Sequence, residues 1–159
     1  LIDRETAHAV SVLTGRFKSE TMTISCAGGK TTVFLSVDKM KIRPDYEDGS
    51  LNEIDISAAF KARVVGIDGS LDIGDAKTRQ SIQKEISERQ AERLAYAVKK
   101  VREMNRDFMN IGWRLDMADP AEYKATGEAD WKERLGNMQF RIRTSTEIDR
   151  SYEIENSLE

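Results

Sequence analysis

Residues 75–111 read DAKTRQSIQKEISERQAERLAYAVKKVREMNRDFMNI, with neither Gly nor Pro, and their apolar positions decide the fold. Ile82, Ile86, Leu94, Val98, Val101, Met104, Phe108 and Ile111 gather, at about 100° per residue, on one stripe about 160° wide or less. The other side is charged. Asp75 precedes Arg79 and Glu85 precedes Arg89 at the favourable i,i+4 spacing, and Lys99, Lys100, Arg102 and Arg106 load the C-terminal end, where the helix dipole favours cations. The pattern predicts one long amphipathic helix, Asp75 to Ile111, serving as scaffold for a sheet. Such a helix would span about 55 Å, against a diameter of about 40 Å for a compact chain of this size. It must therefore overhang, curve or break, and the weak point is Ser87 to Arg93, where Ala91 is the only apolar residue.

Upstream, Ile54, Ile56, Ala58, Phe60, Ala62 and Val64 alternate with mostly polar neighbours, the clearest half-buried strand in the sequence. Residues 66–74, centred on Asp68-Gly69, return the chain to the helix. Thr31 to Arg43 predicts another strand; its apolar parity switches between Val37 and Met40, which a bulge near Asp38–Lys39 would reconcile, and Pro44 to Gly49 follows as a polar loop. Thr21 to Ser25 is a short β-prone run before the Ala27-Gly28-Gly29-Lys30 turn, and Asp3 caps a short helix from Arg4 to Thr14 that Gly15 stops. Downstream, Asp119-Pro120-Ala121-Glu122 starts another helix, Gly127 interrupts it, and Ala129 to Leu135 adds a further turn or two. Phe140, Ile142, Thr144, Thr146 and Ile148 alternate as a last strand. Strands come early, helices in the middle and a strand last. The class is α+β: a mainly antiparallel, curved sheet, including Ile54 to Val65 and Phe140 to Ile148, packed against the long helix, with shorter helices beside it.

The 159 residues are 39% hydrophobic and 33% charged, which suits a single α+β domain over residues 1–157. Without an initiator Met, the chain reads as the C-terminal domain of a longer protein, and Leu158–Glu159 as vector-derived. A net charge of −3 from mixed signs offers no basic stripe for nucleic acid. No apolar run approaches the roughly 20 residues that span a bilayer, and the first ten residues have no signal-peptide layout.

Chemistry is sparse. Gly29-Lys30-Thr31 imitates the end of a phosphate-binding loop, but Ile24 stands where that loop needs a Gly, and Thr31 opens a strand. With one His (His8) and one Cys (Cys26), neither a zinc cluster nor a Cys/His nucleophile pair can be assembled, so no metal and no cofactor is expected. Glu53 with Asp55 could imitate a glycosidase pair, yet alternate strand positions in a charged sequence read as a solvated sheet face. Pro44 to Gly49 offers too few acids for calcium. Trp113 and Trp131 read as core plugs at helix ends, with a ligand pocket near them and the Gly66 to Gly74 loop as the competing possibility. Arg141 and Arg143 are expected to pair with acids across the sheet.

One set of residues suggests a family. Asp107-Phe108-Met109-Asn110-Ile111-Gly112 closes the charged helix and is followed by Arg114, Pro120, Trp131 and a terminal alternating strand. Before it come Leu1-Ile2-Asp3-Arg4-Glu5-Thr6, Leu13-Thr14-Gly15-Arg16, Cys26 ending a strand, and Lys39 to Pro44 closing the next. Together these resemble the C-terminal domain of the Ger(x)C spore-germination proteins, over nearly the whole chain. Tyr123-Lys124, in place of Trp-Lys, and Ser151, in place of Gly, depart from that pattern. The resemblance implies a non-enzymatic C subunit of a nutrient germinant receptor, a lipoprotein on the outer face of the spore inner membrane. Its implied partners are the membrane-embedded A and B type subunits. The lipidated cysteine would lie in an N-terminal region outside this sequence; Cys26, preceded by Glu20 to Ser25, lacks the apolar run of a signal peptide.

Two functional readings follow: protein docking within the receptor, and a module that binds the nutrient itself. A spore-wall hydrolase is the least supported. For docking, the expected surface is the charged face of the overhanging helix, with Arg89, Arg93 and Lys100; Asp107, Gly112, Trp113 and Trp131 are expected to be a structural signature.

Overall fold

The computed structural model describes residues 3–26, 28–47, 50–104, 107, 110–121, 124 and 128–149, the side chains of 50, 52, 118, 128–130 and 132 excepted. Its elements run α1 (Arg4–Leu13), β1 (Glu20–Cys26), β2 (Gly29–Glu47), β3 (Ser50–Gly69), α2 (Ala76–Met104), α3 (Ile111–Ala118), α4 (Glu128–Asn137) and β4 (Gln139–Ile148). The strands form one sheet in the order β1-β2-β3-β4, and the class is α+β.

β1 and β2 are antiparallel, from Glu20 opposite Leu35 to Cys26 opposite Gly29. β2 and β3 are joined by two residues, too few for a parallel crossover. Lys61 pairs with Asp38 while Arg63 lies over the Phe34 ring, so the two indices run in opposite senses. β4 behaves otherwise. Arg141 meets Glu53, Arg143 meets Asp55, and the Asp149 N–H donates to the Ala62 carbonyl at 2.8 Å, so the numbering rises together along both strands. β4 is therefore parallel to β3, and the sheet is mixed, antiparallel across its first three strands.

β2 runs on through Pro44, where the sequence predicts a loop. A proline cannot donate to a ladder, but β1 pairs only with Gly29 to Leu35, so beyond Leu35 one side of β2 has no β1 partner. The alternating burial of Thr31, Val33 and Leu35 gives way to half-buried Ser36 and Val37 and exposed Asp38 and Lys39, at the place where the apolar parity switches.

The long apolar stripe is divided, and not at its weak point. Ser87 to Arg93 is helical throughout, and α2 is described to Met104; Asp107 and Asn110 lie outside helix, and α3 opens at Ile111. Phe108, expected in the core, lies outside the described residues.

By contacts the chain forms two compact units, with residues of β2, β3 and α2 assigned to each. One comprises Phe17–Lys39, Ala58–Ala91 and Thr144–Glu159. Its core is the alternate face of the sheet, Met22, Ile24, Val33, Leu35, Phe60, Ala62, Val64 and Ile148, with Ile82 and Ile86 of α2. Polar side chains set the helix across the strands. Gln90 donates to Glu20 on β1 at 3.2 Å; Ser87 donates to the Thr146 hydroxyl at 2.9 Å and its carbonyl accepts from Thr144 at 2.7 Å, both on β4. Gly29, which opens β2, is packed too closely for a side chain, since a Cβ there would lie 2.7 Å from both the Asp68 carbonyl and Leu71 Cγ. Asp75 precedes α2 and its carboxylate accepts from the Thr78 N–H at 2.9 Å, while Arg79 donates to the carbonyls of Ile73 and Gly74 at 2.7 and 2.8 Å.

The other unit comprises Leu1–Arg16, Met40–Ser57 and Glu92–Arg143. Here α2 does not overhang: Leu94, Ala97, Val98 and Val101 are buried with Ala9, Val12, Leu13, Ile54, Ile56, Ile111, Leu115, Trp131 and Leu135. Asp3 caps α1 by accepting from the Thr6 N–H at 2.8 Å, and it also accepts from the Tyr96 hydroxyl of α2 at 3.0 Å. Gly15, at φ 72°, ends α1 in the left-handed conformation the sequence predicts.

Two outcomes follow. Gly29→Ala is expected to lower stability by about 1–3 kcal/mol through overpacking, whereas the methyl of Gly136→Ala meets nothing within 4 Å and leaves the urea midpoint unchanged or slightly raised. The carboxyls of Asp3 and Asp75 are held below their ordinary 3.8, chiefly by the N–H groups of Thr6 and Thr78. A depressed folded value means that the stabilisation is present above the unfolded pKa and is lost as pH falls through the folded one. The thermal midpoint should fall on acidification below about pH 4, and an Asp3→Asn, Asp75→Asn double variant should show a flatter profile there.

Candidate functional site

The residues that carry the family pattern meet where α2 gives way to α3. The Asp107 carboxylate accepts from the N–H groups of Ile111 and Gly112, at 2.8 and 2.6 Å, filling two of the donors that a helix start leaves open. Asn110 sits between them at φ 55°, a left-handed conformation that asparagine tolerates better than most residues. The Trp131 indole of α4 closes over this turn: its N–H points to Asp107 at 3.4 Å, and a Cβ on Gly112 would lie only 2.6 Å from its nitrogen. Asp107, Gly112 and Trp131 thus form one structural knot, with Trp131 5% exposed.

Trp113 is not part of it. The expectation of a second core plug fails because α3 starts after Asn110 and turns Ile111, Gly112 and Leu115 inward, which leaves Trp113 and Met117 on the opposite face. They are 60% and 68% exposed. Arg114, between the faces, donates to the Leu13 carbonyl at 2.7 Å and ties α3 to the end of α1.

The three cations singled out for docking are engaged within the fold. Arg89 pairs with Glu85 at 3.0 Å and donates to the Thr23 carbonyl of the edge strand β1 at 3.2 Å. Arg93 pairs with Glu5 of α1 at 2.9 Å. Lys100 pairs with Glu103 at 2.8 Å and lies 5.4 Å from the Tyr96 ring centre; its pKa is raised, first by that hydrogen bond to Glu103. The charged face of α2 is thus tied to neighbouring elements at Arg89 and Arg93 rather than open along its length. A long side chain on a helix finds a neighbour whenever another element packs alongside, which helical spacing alone does not reveal.

Other candidates resolve in the same way. Arg141 and Arg143 pair across the sheet with Glu53 and Asp55, as expected of the arginines, with Asp45 3.9 Å from Arg141, but the two acids, expected on a solvated face, are largely covered. Cys26 is a free, half-buried thiol, its pKa pushed up by burial and then by Glu85. Among the described residues no three His, Cys, Asp or Glu side chains are grouped to hold a metal ion, and no helix is long and apolar enough to cross a membrane. A shallow hollow of about 230 Å³ lies on the outer sheet face, lined by Thr23, Lys30, Thr32, Gly66, Ile67 and Asp68. Gly66 to Gly69 belongs to β3 rather than to a loop.

The two tryptophans give opposite signals in single-tryptophan variants. In Trp113→Phe the remaining Trp131 emission is expected to be blue-shifted and shielded from acrylamide; in Trp131→Phe the remaining Trp113 emission is red and strongly quenched. Gly112→Ala should cost about 1–3 kcal/mol and disturb the Trp131 signal alone.

The fold is that of a known structure, "Crystal Structure of the GerBC protein", at a TM-score of 0.74 and 15% sequence identity, over 92% of this chain and 45% of that one. The chain thus spans less than half of that protein's length. No curated protein matches it. A family model described as "Spore germination B3/ GerAC like, C-terminal" matches residues 1–152, in agreement with the resemblance carried by the Asp107 to Gly112 pattern. The chain belongs to this spore germination family.

Proposed function

We propose that this chain acts in spore germination by docking to other subunits of a nutrient germinant receptor, and that it turns over no substrate. The observation that carries this reading is the family match, which takes in residues 1–152. The fold supports it. Side chains that could have done chemistry are committed to holding the structure: Glu53 and Asp55 neutralise two arginines, and Asp107 caps a helix. The partners in this reading are the membrane-embedded A and B type subunits. The domain stands on the outer face of the spore inner membrane, held by a lipid anchor on a segment preceding it. Residues 1–157 act as one domain, with coincident unfolding of the tryptophan and far-ultraviolet signals as the check.

A second reading, direct binding of a small nutrient, rests on the hollow between Thr23 and Asp68. At about 230 Å³ it is smaller than the roughly 300–1,000 Å³ usual for ligand sites. Thermal unfolding of the purified chain with amino acids, sugars and nucleosides separates the two. A ligand at 100 times its Kd adds about 2.7 kcal/mol; the docking reading expects no shift, and co-purification of the intact protein with the other receptor subunits from spore membranes. A shift that disappears in Lys30→Ala and Asp68→Ala would establish the binding module instead.

A further inference from the structure

We infer that the outward face of α3, formed by Trp113, Asp116 and Met117, is where a partner protein lays a basic amphipathic helix. The inference rests on the docking reading and replaces the long helix's cations as the surface involved.

Trp113 and Met117 are the two most exposed large apolar side chains among the described residues, and they stand one turn apart on the same face. Asp116, half-exposed, lies beside them at i+3 from Trp113. Among the described residues neither the Trp113 indole nor the Asp116 carboxylate has a hydrogen-bond or ionic partner, whereas Arg89, Arg93 and Lys100 all do. The fold does not need this face outward for its own packing, which Ile111, Gly112 and Leu115 accomplish from the opposite side. It does hold the face still. Asp107 grips the first two N–H groups of α3, Trp131 closes on Gly112, and Arg114 ties the helix to Leu13. A helix so fixed loses little freedom on binding. Trp and Met are the residue types enriched at the centres of protein interfaces, with Met adapting to irregular surfaces.

The carboxylate selects the occupant. Apolar contact over Trp113 and Met117 strips water from Asp116, which is unfavourable unless the partner brings a cation. An anionic membrane would be repelled by Asp116, and Arg114, its neighbour on α3, is directed to the Leu13 carbonyl. A two-fold contact with a second copy would bring like charges together at Asp116. A partner helix with apolar anchors at i and i+3 or i+4 beside a Lys or Arg satisfies all three residues.

The test uses the intact protein in its receptor. A photo-crosslinker, p-benzoylphenylalanine, replaces Trp113, and the crosslinked peptide is sequenced; Trp113→Ser, Met117→Ser and Asp116→Lys are tested for partner recovery and nutrient-triggered germination, with thermal midpoints confirming the fold. Expected is a crosslink to a helical segment of another receptor protein that carries Lys or Arg beside apolar residues. Partner recovery should fall at least tenfold in Asp116→Lys. A crosslink to a second copy, to lipid, or to a segment without a cation overturns the inference, as does a blue shift of Trp113 emission on phosphatidylglycerol vesicles. If the unaltered protein co-purifies with the receptor and the three variants match it, this surface is wrong and the docking reading stands. If the unaltered protein does not co-purify, that reading fails and the inference with it.

Discussion

The Asp107 carboxylate, accepting two backbone N–H groups, governs how one half of the molecule is arranged. A helix start leaves four amide donors without partners, and here two are satisfied from four and five residues upstream rather than by the residue at the boundary. The apolar stripe is thereby divided into two helices. Asn110 supplies the left-handed step, Gly112 supplies a surface bare enough for an indole, and Trp131 closes the arrangement from α4. Each depends on the others: with a side chain at position 112 the indole would have to shift, and with it the third donor to Asp107.

The same turn marks the limit of what the sequence reveals. Periodicity located both halves of the helical region and the strand at Ile54 to Val64, because burial on one face imposes a repeat that survives in any such sequence. Caps were legible where they follow local rules, as at Asp3 and Gly15. The division before Ile111 was not, since the stripe of Met104, Phe108 and Ile111 continues in phase across it; the Asp-x-x-Asn spacing was the available signal. Trp113 is misplaced as a consequence: the sequence puts it just past a helix end, whereas it lies in the first turn of a new helix, on the side opposite Gly112 and Leu115. Pro44 suggests a strand end in the sequence, which does not tell how far the neighbouring strand extends. For the candidate site, the structure brings Gly112 and Trp131 together with Asp107, while the exposed face of α3 has no sign in the helical spacing.

Charge is used in a consistent way. A third of the residues are charged, yet the described ion pairs mostly link elements or adjacent turns. Arg89 shows the logic. By donating to an edge carbonyl of β1 it occupies a group that would otherwise invite another strand. The fold is shared with the GerBC protein at 15% identity. Such divergence is expected where volume and pattern, more than particular side chains, specify a core.

The parallel placement of β4 bears on the order in which the chain folds. β1, β2 and β3 are sequential neighbours and can pair as hairpins while the chain is still growing, but Arg141 meets Glu53 across 88 residues. Closing so long a loop carries an entropic cost that local pairs avoid. On this ground β3 is expected to keep an open edge until the helices have formed and β4 arrives. The acids at Glu53 and Asp55 keep charge on that edge in the interval, a protection against pairing with other chains that the later arginines then neutralise.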